Sequence, residues 1–538
     1  MKTHEQLAVK PPRSAGKPVR SETTKDRGRV FLVGAGPGAP DLITLRGAAV
    51  MGRADVIVYD ALVSPEILRL APASAERIFA GKKGGEERSV EQAEINRILI
   101  EHARAGRRVV RLKGGDPFIF GRGGEEAEAL AAAGIAFEVV PGVTSATAAP
   151  AFAGIPLTHR ERGSFVAFIT GHQDSTKDAD AAIPWDDLAR AARGRGTLVI
   201  LMATARMDAH LARLAAAGLG VETPAAAIQW GTTAAQKTVV ATIGTLADEA
   251  ARAGLKAPAV IVVGECAALG RELNWFETMP LFGRRIVITR AAHDASDFAT
   301  RIRALGGEAV EFPTIETAPP SSYEILDRAI AEIGSFDWII FSSANGVDHF
   351  VDRMRTNARD LREIGRAEIA AIGPITANRV RRYALTVAAM PAEYRAEAVV
   401  EVIGTDRIAG ARILIPRAEV AREVLPEMLR QRGAREVVVA PTYRTVIPTG
   451  AEADAGRMRA LIAAGSIDLV TFTSSSTVTN FAAMTGVPIA GIKAAAIGPI
   501  TAETARVLGL EVVAAPVSYT VEALIAAIAE YYAGAARS

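Results

Sequence analysis

From Arg29 onward, short runs of Val, Ile and Leu alternate with Ala-rich amphipathic stretches, the pattern of an α/β protein. The apolar runs predict strands at 29–33, 55–59, 107–112, 136–140, 165–170, 196–202, 224–229 and 259–263. Pro and Gly punctuation in PGVTSA (141–146) and GIPLTH (154–159) places a lobe boundary near 145–160. This gives a first region over 28–275, with lobes of about 28–145 and 146–275. A second break falls around 271–284, in RELNWFETMPLFGRR, so that 276–283 reads as a linker and RRIVITRA starts a new strand. No apolar run approaches the ~20 residues that a bilayer span needs. Residues 1–27 are basic and polar without a signal-like apolar segment, and are expected to be a disordered leader. The expected setting is the cytoplasm, with no membrane partner.

The C-terminal region, 284–538, repeats itself. RRIVITRA (284–291) recurs as ARILIPRA (411–418), and GGEAVEFPTIET (306–317) as GAREVVVAPTYRT (433–445). FDWIIFSSANGVDHF (336–350) recurs as IDLVTFTSSSTVTNF (467–481), and AIGPITA (371–377) recurs unchanged at 496–502. Offsets of about 125–131 residues predict two similar α/β lobes across a cleft. In each copy an apolar strand meets a Ser/Thr-rich turn, and a later strand meets Gly-Pro and a Thr-initiated helix. Helix starts with free N–H groups aimed at one cleft suit carboxylates.

Composition narrows the classes. With 538 residues, 49% hydrophobic and 23% charged, the chain reads as an ordinary globular protein of several domains. A net charge of +2 makes no case for nucleic acid. Abundant Arg suits polycarboxylates or phosphates. A single cysteine, Cys266, excludes an internal disulfide, and the seven histidines show no HxH or HExxH spacing. No metal site is expected.

The most specific segment is RLKGGDPFIFGRGGEE (111–126): a strand, a Gly-Gly-Asp turn, then a helix opened by two acids. Gly114 and Gly115 let a ligand reach main-chain atoms. GAGPGAPD (34–41) follows the first strand but lacks the third glycine of a dinucleotide fingerprint. Asp60 ends the second strand, where ligands of open sheets gather, or else caps the next helix. Asp116 touches a ligand or fixes its turn through an Asx bond.

Taken in order, GAGPGAPDLITLRG, VYDALVS, GK (81–82), RLKGGDPFIFGRGGEE, PGVTSA, GIPLTHR and TGH resemble uroporphyrinogen-III C-methyltransferase over about 28–275. The resemblance implies a two-lobed tetrapyrrole methyltransferase fold, S-adenosyl-L-methionine as cofactor and a homodimer. It puts Pro37, Gly114, Gly115, Asp116, Ile119, Thr144, Ser145, Met202 and Gly231 at cofactor-contact positions. Asp60 matches the proposed proton acceptor and Lys82 the proposed donor. His159 and His172 read as structural or substrate-side residues.

Residues 284–535 resemble uroporphyrinogen-III synthase, through RRIVITRA, DWIIFSSANGV, AIGPITA, TYRT and DLVTFTSSSTVTNF. The implied architecture is a bilobed α/β synthase with internally duplicated lobes, one formed by about 284–313 plus 447–538 and the other by about 322–441. Tyr443 matches a tyrosine suggested to assist departure of a hydroxyl. Ser342, Ser343, Asn345, Thr376, Thr473, Ser474, Ser475, Thr501 and Tyr519 are candidate substrate contacts or helix caps. The combined expectation is a bifunctional enzyme that cyclises hydroxymethylbilane to uroporphyrinogen III and methylates it twice toward precorrin-2. The alternative keeps the methyltransferase and makes the second half a non-catalytic tetrapyrrole-sensing module.

Overall fold

The computed structural model describes residues 28–81, 91–171, 183–393, 396–421, 423–448, 450 and 452–535. The chain divides into two compact units between Thr278 and Met279. The first unit holds two five-stranded sheets. One comprises β1 (Arg29–Gly34), β2 (Val56–Tyr59), β3 (Glu76–Phe79), β4 (Arg108–Lys113) and β5 (Ala136–Val140), all parallel, in the order β3-β2-β4-β1-β5. The other comprises β6 (Phe165–Thr170), β7 (Gly196–Leu201), β8 (Pro224–Gln229), β9 (Lys237–Thr242) and β10 (Ala259–Val263), in the order β6-β7-β10-β8-β9. There β6, β7 and β8 run the same way, with β9 and β10 opposed.

Each predicted strand of this unit appears within a residue of its expected bounds. In the central strands both faces are buried: Val33, Ile57 and Val110 pack on one side of the first sheet, Leu32, Val58 and Val109 on the other. The apolar pattern does not announce β3 and β9. Both are edge strands that open on charged residues, ERIF and KTVVAT, unlike the edge strands β5 and β6, which open on AF and FVAF.

The second unit contains β11 (Arg285–Ile288), β12 (Glu308–Glu311), β13 (Glu316–Ala318), β14 (Trp338–Phe341), β15 (Glu368–Ala371), β16 (Arg412–Ala418), β17 (Glu436–Val446), β18 (Leu469–Phe472), β19 (Lys493–Ala496) and β20 (Glu511–Ala514). They form two sheets, β12-β11-β18-β19-β20 and β13-β17-β16-β14-β15. One lobe therefore joins the beginning and end of the region, and the other is made from the middle.

The duplicated blocks are exchanged between lobes. Asp468 of the second copy accepts the Arg285 N–H of the first at 2.8 Å, and Asp337 of the first accepts the Arg412 N–H of the second at 2.9 Å. Equivalent phenylalanines stack edge-to-face in each core, Phe341 on Phe350 at 5.5 Å and Phe472 on Phe481 at 5.7 Å. The chain crosses between lobes on β13 and the end of β17, which pair antiparallel with Glu316 opposite Val446.

Candidate active sites

In the first unit, the carboxyl ends of β1, β2, β4 and β5 open onto one edge, the place where open α/β sheets take ligands. Register sets Gly34 beside Lys113 and Val33 beside Val140, so the following loops leave together. Gly36 and Gly115 exchange backbone hydrogen bonds at 3.2 and 2.7 Å, with φ of +83° and +68°. A Cβ on Gly34 would lie 2.5 Å from Gly142 Cα, and one on Gly142 would lie 2.3 Å from the Gly115 carbonyl oxygen. Only glycine lets these loops meet.

Around this crossing Pro37, Gly114, Gly115, Asp116, Thr144, Ser145 and Gly231 collect. Pro37 stands between Gly36 and Gly38, and a Cβ at Gly38 would be 3.5 Å from the Gly231 carbonyl oxygen. Thr232 Oγ1 accepts the Ala39 N–H at 3.1 Å, tying the loop after β1 to the loop after β8. Thr144 caps the helix Ser145–Phe152, accepting from the Ala146 N–H at 3.3 Å. The position of a Gly115 Cβ lies 3.8 Å from both Thr144 Cα and Ser145 N. Asp116 is committed to the loops: Oδ1 accepts the Phe118 N–H at 2.8 Å, the Asx bond, and Oδ2 the Gly142 N–H at 2.9 Å. Met202 follows β7 at φ +56° and Gly231 follows β8, whose carboxyl ends share an edge. Met202 and Ile119 expose apolar surface, 51% and 37%.

Asp60 follows β2 directly. Its Oδ1 lies 3.4 Å from the Gly114 N–H, its Oδ2 3.6 Å from Arg111 Nη2, and its side chain is 26% exposed. It is not the cap of the next helix, because Ser64 caps Pro65–Leu68. His159 serves a turn, its Nδ1 accepting the Glu161 N–H at 3.2 Å. Lys82 and His172 lie outside the described residues.

Behind Asp60 is an ion cluster that the sequence reading passes over. Arg111 and Lys113 are each 4% exposed and Glu126 is fully buried. Glu126 Oε1 accepts from Lys113 Nζ at 2.9 Å, Arg111 Nε at 3.1 Å and Gln92 Nε2 at 3.2 Å. Burial first, and Arg111 second, push the Lys113 ammonium below its ordinary value, with Glu126 pulling the other way. The signal was present in VVRLK, where two cations occupy alternate positions of an otherwise apolar strand.

In the second unit a cavity of about 240 Å³ is lined by Arg290, Ile315, Asn345, Tyr443, Thr473 and Ser474 among others. It joins side chains of both lobes. Tyr443 is aimed by a bulge: Arg417 pairs with Pro441 but Ala418 with Tyr443, leaving Thr442 extra, so Thr442 and Tyr443 are buried in succession. The phenol lies 3.2 Å from Ser343 Oγ and its ring stacks on His349 at 5.2 Å. Burial pushes the phenol above its ordinary value, and the Ser343 contact opposes this.

Ser343 and Ser474 cap equivalent helices, accepting from Gly346 N–H at 3.1 Å and Thr477 N–H at 3.3 Å. Ser342 is half-buried at the end of β14, and Ser475 Oγ accepts from Thr504 Oγ1 at 2.9 Å. The Gly-Pro helices differ from expectation. They start at Pro374 and Pro499 behind Gly373 and Gly498, so Thr376 and Thr501 sit inside the first turn and are each only 6% exposed. Tyr519 is 55% exposed, its ring packed 3.2 Å from where a Gly498 Cβ would stand.

With this geometry in view, comparison with known proteins is informative. A family model described as tetrapyrrole (corrin/porphyrin) methylases matches residues 29–247, and one described as uroporphyrinogen-III synthase HemD matches 296–526. The porphyrin biosynthesis protein HemD of Ruminiclostridium josui is 38% identical over 514 residues, 95% of this chain and 99% of that protein. The chain belongs to this porphyrin biosynthesis family. Its first unit is a tetrapyrrole methylase and its second a uroporphyrinogen-III synthase. The siroheme synthase of Stutzerimonas stutzeri (strain A1501) is 48% identical over 260 residues, 48% of this chain, and the chain spans 54% of it. A solved structure titled uroporphyrin-III C-methyl transferase from Thermus thermophilus, complexed with S-adenyl homocysteine, is 37% identical. That match covers 45% of this chain and 100% of the other, with a TM-score of 0.38.

Proposed function

We propose that the chain makes a tetrapyrrole with one unit and methylates it with the other. The synthase closes hydroxymethylbilane to uroporphyrinogen III with inversion of the last ring, and the methylase adds two methyl groups toward precorrin-2. The observation that carries this reading is the pairing itself: the product of one matched family is the substrate of the other, in one chain. The sensing-module alternative is not favoured, because 296–526 matches the synthase family model.

S-adenosyl-L-methionine supplies an electrophilic methyl group on a sulfonium. The residues present fit such a group: a Cβ at Gly115 would stand in van der Waals contact with Thr144 Cα and Ser145 N at 3.8 Å, so its absence leaves backbone of three loops open to a ligand. Pro37, Gly114, Gly115, Thr144, Ser145 and Gly231 would hold it through backbone groups, with Ile119 and Met202 supplying apolar contact. Asp116 keeps the loops after β4 and β5 in register. The protein's chief task is alignment of two reactants and exclusion of water. Methylation leaves a cationic ring system, and Asp60 accepts the proton it sheds. Lys82 is the companion donor in this reading.

In the synthase, the bilane's hydroxymethyl leaves as water. Tyr443, a neutral phenol, donates to the departing oxygen, while Ser343 and Asn345 from one lobe and Thr473, Ser474 and Ser475 from the other grip the carboxylates. A homodimer formed through the methylase unit and a cytoplasmic setting belong to the same reading. Among the described residues no helix is long and apolar enough to cross a membrane. Incubation with hydroxymethylbilane alone should yield the type III macrocycle, and addition of S-adenosylmethionine should raise its mass by two methylene units. Type I product, with no enrichment over the buffer control, would remove the synthase assignment.

A further inference from the structure

Arg111 reaches out of the buried cluster toward the crevice. Its Nε donates to Glu126 at 3.1 Å, its Nη1 to the carbonyls of Val58 at 3.3 Å and Leu112 at 3.2 Å, and its Nη2 stands 3.6 Å from Asp60 Oδ2. Partners on β2, on β4 and on the helix Gly123–Ala132 thus fix the plane of the guanidinium. The register makes this possible, because β2 and β4 are neighbours with Val58 opposite Arg111. With Oδ2 facing Arg111, Oδ1 of Asp60 faces the Gly114 amide at 3.4 Å, at the turn where the cofactor candidates gather. Two cations buried at alternate positions of one strand are costly to hold, and Glu126, fully buried, answers both through a single oxygen. Its other oxygen, Oε2, has no hydrogen-bond partner among the described residues.

We propose that Arg111 is a positioning residue for methyl transfer: it aims the Asp60 carboxylate across the Gly114–Gly115 turn, while Glu126 and the Val58 and Leu112 carbonyls hold Arg111 in place. This rests on the reading of Asp60 as proton acceptor. The C–H electron pair returns to the ring system, the proton passes to Asp60 and later to water, and Arg111 keeps its own protons throughout. A lysine cannot replace it, since one ammonium cannot reach Glu126, the Val58 carbonyl and Asp60 together.

The test is a double-mutant cycle on the full chain with R111Q, R111K, D60N and the two combinations. Each Arg111 variant should lower methyl-transfer kcat by about 10- to 100-fold, the cost of a misplaced reacting group, with S-adenosylhomocysteine affinity within about threefold of the parent. In the D60N background the same substitutions should cost nothing further. An equal loss in both backgrounds, or a loss carried by cofactor affinity, overturns the proposal. D60N at parental kcat instead removes the Asp60 reading, and this proposal with it. R111K keeps a cation beside Glu126 and serves should R111Q fail to fold, with thermal melting as the check.

Discussion

At Gly142 one methyl group decides whether the crevice exists. A Cβ there would press on the Gly115 carbonyl at 2.3 Å and on Gly34 Cα at 2.6 Å, both backbone atoms with no rotamer to escape into. Overpacking of this kind costs about 1–3 kcal/mol, so Gly142→Ala should lower the melting temperature and weaken S-adenosylhomocysteine binding by calorimetry. Unchanged affinity would mean that the loops do not form the cofactor site. Tyr443 makes a second residue-scale case. Burial raises the phenol from its ordinary 10.0, so the native state keeps a proton that the unfolded chain has already lost. Its contribution to stability is present below the unfolded value and drains away as pH rises through the folded one. The parent should therefore lose stability more steeply above about pH 10 than Tyr443→Phe does, as denaturant titrations would show, and the variant should cyclise slowly at every pH.

Elements set where such residues can act. Glu126 sits in the first turn of its helix, a place where acids usually meet solvent and the positive end of the dipole. Here that helix packs against β5 and the helix Gln92–Arg104, and the carboxylate is sealed against Arg111 and Lys113. Glu126→Ala strips two buried cations of their partner, at a cost of about 3–5 kcal/mol. Glu126→Gln, which keeps the shape, should cost less, and equal melting temperatures for Glu126→Ala and the parent would refute the burial argument. The same scale explains what the sequence did and did not make legible. Central strands and the edge strands β5 and β6 are plain in the apolar pattern, whereas β3 and β9, which open on charged residues, are not. Thr376 and Thr501 look like helix caps in AIGPITA, but with Gly at the cap and Pro first, the threonine comes third and turns inward. Ser343 and Ser474, two residues past the ends of β14 and β18, are true caps; Ser474 also lines the cleft and Ser343 meets Tyr443.

Across the whole chain, the repeated blocks are visible as text, but their partners are not. Asp337 and Asp468 hold equivalent places, yet each bonds the backbone of the opposite copy. A chain ending at Val446 would lose β18, β19 and β20 from one sheet while the other keeps β13 to β17. Limited proteolysis of that truncation should leave a resistant fragment of about residues 316–446 and digest 284–313, with cyclisation abolished. Equal digestion of both segments would show that neither sheet stands without the other. By itself the sequence determined the alternation of strands and helices, the glycine-rich turns, the duplication and the two families, because these depend on local periodicity and on residue types at short spacing. Only the tertiary structure decided that Arg111, Glu126 and Asp60 meet and that Tyr443 turns toward Ser343. Those contacts depend on β4 lying between β1 and β2, and on a bulge where β17 meets β16, and neither is written in the spacing of residues along the chain.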